Sequence, residues 1–385
     1  MNSKKSNMFT ASFIGVAAVW LGSHFGPGFA TGAFSTQWYV QYGWIGLLTP
    51  FIAMIVTGGV MYYMTEYARS HKTYNYRPFA LSCFGPKFGQ VMSACYDVAF
   101  LMTLLCAGGL AFAGEGTILQ VHLNLPYWVG AGIMIVLSGL LCMYGSKLLS
   151  NASAYLMYAI IGVVLLIVIL SFIFGDYDLA GSFANSAANA KNSSIAQAIL
   201  SGILYGCFQS TIVFNVMAVA DVLTSRKDTK KAIGFGYLFT VVLMFGLVLM
   251  LFSYTNVYDI VGGTNNLPVY SVLQRLNFPW LTWIYVLLMT LAVLTSAAGL
   301  AAACVRRFDG LFRWIGNVQL RRFVITVIAL GIAALGASFG MAPLLRRGTS
   351  IVGYIGIPVV VIPAFTWVAH KVHKDGENPT EAKAK

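Results

Sequence analysis

Charge is what this sequence has least of. Only 9% of its 385 residues are Asp, Glu, Lys or Arg, while 58% are hydrophobic; a soluble domain carries roughly a quarter charged residues. That excludes an ordinary water-soluble protein and leaves a chain whose solvent is lipid. Cysteine is sparse and unpatterned. Cys83, Cys95, Cys106, Cys142, Cys207 and Cys304 lie in or beside apolar stretches, without metal-ligand spacing or the framework of a secreted domain, and read as buried thiols. A phosphate loop, a zinc-type His/Glu spacing and a nucleophile triad are all missing, so an enzyme is not expected. The start "MNSKKSNM" runs into an apolar stretch without an A-x-A-like exit, which argues against a cleavable signal peptide.

What is present is a series of apolar segments. Ten can be drawn: 8–41, 44–68, 88–114, 127–145, 150–174, 194–222, 232–255, 279–304, 322–340 and 349–369. About 20 residues span a bilayer, so the expected fold class is an all-α membrane protein of ten transmembrane helices. Basic residues set its orientation. With the N-terminus in the cytoplasm, 20 of the 24 Lys and Arg fall inside, leaving Lys191, Arg275, Arg346 and Arg347 outside. Both termini are then expected on the cytoplasmic side of the membrane. The net charge of +12 follows from topology and needs no nucleic-acid partner; the oligomeric state is not legible.

The first segment is too long for one straight helix, and "GSHFGPGFATG", Gly22 to Gly32, interrupts it. Glycine costs about 1 kcal/mol and proline about 3 in a helix interior. A second interruption, "LYGCFQST", Leu204 to Thr211, falls in the sixth segment. Residues 175–192 are polar and rich in small side chains, and read as an external linker between halves 1–174 and 193–370, followed by a polar tail, 371–385. Each half holds five spans, an odd number, so the two are inverted with respect to each other. Helices 1 and 6 are counterparts, and the connections 70–86 and 256–277 correspond, each with a short mixed stretch suited to lying along the surface. Matched interruptions in inverted halves point to the substrate site of a secondary transporter. The free amides and positive end of a half-helix attract a carboxylate, and freed carbonyls hold a cation. The competing reading is a glycine-rich packing face.

Gly22, Gly26 and Gly28 resemble the G-x-x-x-G-x-G of the unwound first helix in the LeuT-type fold of the amino acid–polyamine–organocation superfamily. Helix 8 reads "LAVLTSAAG", similar to the A-x-x-T-S of sodium-coupled members. The resemblance implies a sodium ion held by the carbonyls of Gly22, Phe25 and Ala292 and the hydroxyls of Thr295 and Ser296. Hard oxygen donors suit that ion; the alternative is that Thr295 and Ser296 bond only their own helix. The stretch "GPGFATGAFSTQWYVQYGWIG" resembles the start of the YkvI-like family of bacterial membrane proteins. It departs from that family at Ala33 and Phe34, where an acidic or polar pair is frequent, which puts in question any role such an acid has elsewhere.

The remaining candidates are ionisable or polar groups at depth. His24 lies within the first interruption, to contact solute, couple to protons or satisfy freed backbone. Asp97 in helix 3 is expected to bind a substrate ammonium or serve coupling, the alternative being a structural ion pair. Glu66 is expected to pair with Arg69, and Asp221 to sit near Arg226 and Lys227; Glu115 is a candidate gate residue for Arg346 or Arg347. From helix 6, Tyr205, Gly206, Cys207, Phe208, Gln209 and Ser210 are expected to line a substrate site together with His24, Phe25, Gly26, Gly28 and Asp97, with Asn215 further in. The function expected is sodium-coupled transport of an amino acid or related zwitterion or organic acid by alternating access. Alternatives are a proton-coupled carrier for nucleobase-like heterocycles, a solute channel, or a receptor built on a transporter scaffold.

Overall fold

The computed structural model describes residues 13–144, 146–190, 194–254 and 267–376. Lys191 and the end of the polar tail lie outside the described residues, as does the first half of the connection 256–277. In chain order the principal helices are α1 (Phe13–His24), α2 (Ala33–Trp38), α3 (Thr49–Ser70) and α4 (Tyr76–Phe84). Next come α5 (Pro86–Leu123), α6 (Tyr127–Tyr144) and α7 (Ser146–Phe174). The second part holds α8 (Ile195–Ser210), α9 (Val213–Met217), α10 (Arg226–Ser253) and α11 (Pro268–Leu276). It closes with α12 (Pro279–Phe308), α13 (Val318–Ser338) and α14 (Met341–Lys374).

These elements carry all ten expected apolar segments. Among the described residues six helices are long and apolar enough to cross a membrane. Val40–Leu47 and Thr49–Ser70, bent by 78°, make a seventh. Three shorter apolar helices, Phe13–His24, Tyr158–Phe174 and Ile195–Ser210, complete the set. Two of those three are short because they are half-helices of interrupted spans. The two connections expected to correspond each contain a nine-residue helix, α4 and α11. α11 is the clearer: Val269, Tyr270, Val272, Leu273 and Leu276 are buried while Gln274 and Arg275 face out, and Asn277 ends it in the left-handed conformation at φ 55°.

Local chemistry sets the helix starts. Proline occupies the first turn of α3, α5, α11 and α12, where its missing N–H has no intrahelical partner to lose. α10 opens on a capping box. The Ser225 hydroxyl accepts from the Asp228 amide at 3.2 Å, and the Asp228 carboxylate accepts from the Ser225 amide at 3.2 Å.

In lipid, helices associate through close packing of small residues. A Cβ on Gly336 of α13 would lie 2.0 Å from the Leu105 carbonyl oxygen of α5. α8 is gripped from two sides. A Cβ on Gly206 would lie 2.6 Å from Ala53 O of α3, and one on Gly356 of α14 would lie 2.7 Å from Cys207 O. The Thr57 hydroxyl of α3 donates across this seam to Gly206 O at 3.1 Å. On the outside of the bundle α6 presents Trp128, Ile133, Val136 and Leu140, an apolar face for lipid.

Three expectations about position are corrected. α14 begins at Met341 rather than near 349, so Arg346 and Arg347 lie in its first turns, within a π-turn over Leu344–Gly348. The interruption of the sixth segment falls at Thr211 and Ile212, at the far end of the expected stretch, so residues 204–210 are helical. Gly206 is a packing glycine and breaks nothing. Finally, Arg226 pairs with Glu66 of α3 at 3.1 Å and not with the exposed Asp221.

Gly336→Val should lower stability by at least about 1–3 kcal/mol, because the two backbones must part. Gly331→Ala in the same helix, where an added Cβ meets nothing within 4 Å, should be neutral or slightly stabilising. Thermal unfolding of the purified variants measures both.

Candidate transport site

The first interruption is built from backbone. α1 ends at His24, and the Phe25 amide still donates to Leu21 O at 2.8 Å. A single turn, Pro27–Ala30, follows. Gly32 then takes φ +80° and starts α2, a conformation open to glycine and costly for other residues. The carbonyls released are taken up by neighbours. Ala30 O accepts from the Tyr285 hydroxyl of α12 at 3.1 Å, and Thr31 O from the Val269 amide of α11 at 3.0 Å. Gly28 O accepts from the Thr31 hydroxyl at 3.1 Å.

The second interruption is a tight turn. The amides of Thr211 and Ile212 donate back to Phe208 O and Gln209 O, both at 3.2 Å, before α9 begins. The two interruptions lie side by side. Asn215 Nδ2 of α9 donates to Ser23 Oγ of α1 at 3.2 Å. Tyr205 Oη lies 3.4 Å from His24 Nε2 and accepts from Gln209 Nε2 at 2.9 Å. Because the phenol oxygen accepts from Gln209, its own proton is available to His24 Nε2. The other ring nitrogen, Nδ1, is buried and has no hydrogen-bond partner among the described residues.

Tyr205 is the hub of an aromatic cluster. Its ring centre lies 5.2 Å from Tyr39, 5.7 Å from Trp38, 5.9 Å from His24, 6.0 Å from Phe208 and 6.2 Å from Phe34. Gly28 leaves room for Phe34, whose ring would lie 2.7 Å from a Cβ there. Gly26 faces open space. Beside the cluster a small apolar recess, with room for little more than one water molecule, is lined by Phe25, Phe29 and Ala30 on one side and by α7 and Leu243 of α10 on the other. The structure thus brings His24, Phe25, Tyr205, Phe208 and Gln209 together, and adds Phe34, Trp38 and Tyr39, which sequence reasoning had not assigned. Cys207 is buried with its carbonyl against Gly356 of α14, and the Ser210 hydroxyl donates to Gly206 O at 2.7 Å.

On α12, Ala292 is buried and Thr295 and Ser296 are half-buried. The Thr295 hydroxyl donates to Leu291 O at 3.0 Å and Ala292 O at 3.2 Å of its own helix. These are the own-helix bonds of the alternative reading, and they leave the lone pairs of the hydroxyl unused. Gly22 is half-buried on α1.

Two of the three acids, Asp97 and Glu115, are placed differently from expectation. Asp97 does not face an open site: Arg307 Nε lies 2.5 Å from its carboxylate, and the Tyr76 hydroxyl donates to it at 2.8 Å. The Arg307 guanidinium stacks 3.6 Å from the Tyr76 ring centre and 4.7 Å from that of Phe100. Asp97 is a paired structural acid at the end of the bundle where basic residues gather. Its partner is 210 positions away in sequence, beyond the reach of local pattern. Glu66 pairs with Arg69 at 2.8 Å as expected, and also holds Arg226 and, at 2.7 Å, the Thr229 hydroxyl. Glu115 pairs with neither Arg346 nor Arg347; it meets Thr290 of α12 at 2.5 Å.

The helical bundle with its two adjacent interrupted spans has the LeuT-type fold, as its likeness to solved structures shows. A Na+-coupled sialic acid symporter, solved in a substrate-bound outward-open state, superposes with a TM-score of 0.64 at 14% identity, over 94% of this chain and 81% of that one. MhsT in complex with L-phenylalanine superposes with a TM-score of 0.63 at 14% identity, over 91% and 88%. The Eremococcus coleocola manganese transporter gives 0.55 at 13% identity, over 94% and 81%. In sequence the chain is similar to YkvI, an uncharacterised membrane protein of Bacillus subtilis (strain 168), at 24% identity over 234 residues. The match covers 59% of this chain and 63% of YkvI, less than two thirds of that relative's length. It agrees with the resemblance read from the first helix. No protein-family model matches the chain.

Tyr205→Phe keeps the ring contacts but strips Gln209 and His24 of their common partner. It should cost about 1–3 kcal/mol in thermal unfolding. Tyr205→Leu should cost more, because the aromatic hub is lost as well.

Proposed function

We propose that this protein is a secondary active transporter of a small organic solute, an amino acid or a related zwitterion or organic acid, coupled to sodium and working by alternating access. The observation that carries this reading is the pair of adjacent interrupted helices, joined by the His24–Tyr205 and Ser23–Asn215 contacts. Interrupted helices are tolerated at membrane depth only where they line a cavity or are buried in protein. The solute carboxylate meets the amides of Gly26 and Gly28, since the Phe25 amide is spent on Leu21 O and Pro27 has none, and Gln209 and His24 Nδ1 orient its polar groups. The rings of Phe25, Phe34, Tyr205 and Phe208 cover its body. Sodium is held by the carbonyls of Gly22, Phe25 and Ala292 and the hydroxyls of Thr295 and Ser296. The chain lies in a bacterial cytoplasmic membrane with both termini in the cytoplasm, and residues 1–174 and 193–370 act as inverted halves around the site. The positive-inside bias supports this orientation.

A second reading is favoured by the aromatic lining: a proton-coupled carrier for flat, nucleobase-like heterocycles. Thermal unfolding of the purified protein with amino-acid and nucleobase panels, in sodium and again in potassium or choline, separates the two. A solute present at a hundred times its dissociation constant should raise apparent stability by about 2.7 kcal/mol. The sodium-coupled reading expects a shift that requires both solute and sodium, with the sodium part lost in Thr295→Ala. A sodium-independent shift with a nucleobase would favour the second reading; absence of any shift in both salts would count against both.

A further inference from the structure

Of the carboxylates within the helices of this bundle, Glu66 and Glu115 are buried and Asp97 is partly exposed, and the protein treats the three unequally. Glu66 has two arginines and Asp97 has one. Glu115 is fully buried and, among the described residues, has no ion pair at all. One of its oxygens lies 2.5 Å from Thr290 Oγ1, and the other has no hydrogen-bond partner. An ionised carboxylate in that position would be an uncompensated charge in a low-dielectric interior, which costs several kcal/mol.

The Thr290 hydroxyl has a second acceptor within reach. Thr290 Oγ1 is also 3.0 Å from the Val286 carbonyl oxygen. A hydroxyl has one proton. If it goes to Val286 O, Thr290 can only accept from Glu115, and the carboxyl must carry the proton. The chain then runs from Glu115 O–H to Thr290 Oγ1 and from Thr290 O–H to Val286 O, each proton used once. If the carboxyl were ionised, Thr290 would have to choose, and one carboxylate oxygen would still face the interior with no donor.

We propose that Glu115 is a proton-binding site, occupied in this conformation and exchanging its proton when α5, α12 and the turn Pro27–Ala30 separate. That turn packs against both α5 and α12, and Ala30 O bonds to Tyr285, five residues before Thr290 on α12. Among the described residues, no charged group on the surrounding elements forms an ion pair with Glu115. α12 offers Tyr285, whose hydroxyl is spent on Ala30 O. At the start of α6, Tyr127 donates to Ala337 O. Arg321 and Arg322 of α13 are at the opposite end of that helix. Arg346 and Arg347, in the first turns of α14, form no ion pair with Glu115. On α5 itself, His122 is two turns further along and bonds the Tyr270 hydroxyl at 2.9 Å. The use of this proton in coupling rests on the transporter reading; its presence does not.

Infrared spectroscopy of the full-length protein in lipid nanodiscs at neutral pH tests the site without any solute. The expected result is a carbonyl band of a protonated carboxylic acid that is absent from Glu115→Gln. In Thr290→Val, which removes the acceptor, the band should shift to higher frequency, and Thr290→Ser should leave it in place. On transfer to D2O the band should shift down, reporting exchange. A spectrum of wild type in which Glu115 contributes only carboxylate bands overturns the proposal. A band indifferent to Thr290→Val overturns the hydrogen-bond assignment, and one that never exchanges makes the proton a fixed structural one. Thr290→Val gives its reading even where Glu115→Gln fails to fold. A negative spectrum leaves the transporter reading standing, and a failed solute search leaves the spectrum standing.

Discussion

A helix broken inside lipid must find new partners for the backbone groups it frees, and much of this architecture follows from that requirement. The first helix frees carbonyls at Ala30 and Thr31. They are met by a side chain of α12 and a main-chain amide of α11. Those two bonds tie the interruption to elements that begin some 240 residues later in the chain. The constraint therefore does more than stabilise a turn. It fixes where α11 lies, why its apolar face is pressed inward, and why Gly32 must be small: Val269 and Leu251 fill the space its Cβ would need. A conformational change that lifted α11 away would have to supply water to Thr31 O in its place.

The same accounting explains the second interruption, which is milder. The amides of Thr211 and Ile212 turn back on Phe208 and Gln209, so little is left unmet and no distant element is recruited. The sequence differs accordingly. The first interruption carries proline and a left-handed glycine, both strong local signals. The second lies just beyond a stretch whose glycine has another job. Gly206 is there so that α8 can approach α3 closely, and a packing glycine and a breaking glycine look alike in one dimension. That is why the ten spans, the first interruption and the paired nine-residue helices were legible, while the second interruption was displaced by a few residues.

Tertiary pairing was legible only where it was local. Glu66 and Arg69 are one helical turn apart and meet as expected. Arg226 joins them from 160 positions away, and Arg307 reaches Asp97 from 210. Nothing in the neighbourhood of Asp97 hints at that partner, and an acid in an apolar segment with its cation removed from view reads as a ligand site. The aromatic cluster was half legible for a related reason. Tyr205 and Phe208 were visible as one helix face, but Phe34, Trp38 and Tyr39 become their neighbours only once the first helix has been broken and redirected.

Taken together, the acids describe how the bundle is divided. At the end where basic residues gather, carboxylates are matched by arginines, and those pairs join α3 to α10 and α5 to α12. Breaking them would leave buried charge behind, so they hold elements that must stay together. Glu115 is on the same helix as Asp97, eighteen residues on, and has only a threonine. A neutral carboxyl bonded to one hydroxyl is a weak tie beside an arginine pair, since hydrogen bonds between neutral groups are worth about half those that involve a charge. One helix thus carries a strong contact to α12 near one end and a weak one toward the other. Motion between α5 and α12 is cheapest where Glu115 lies, on the side where α11 covers the interrupted first helix.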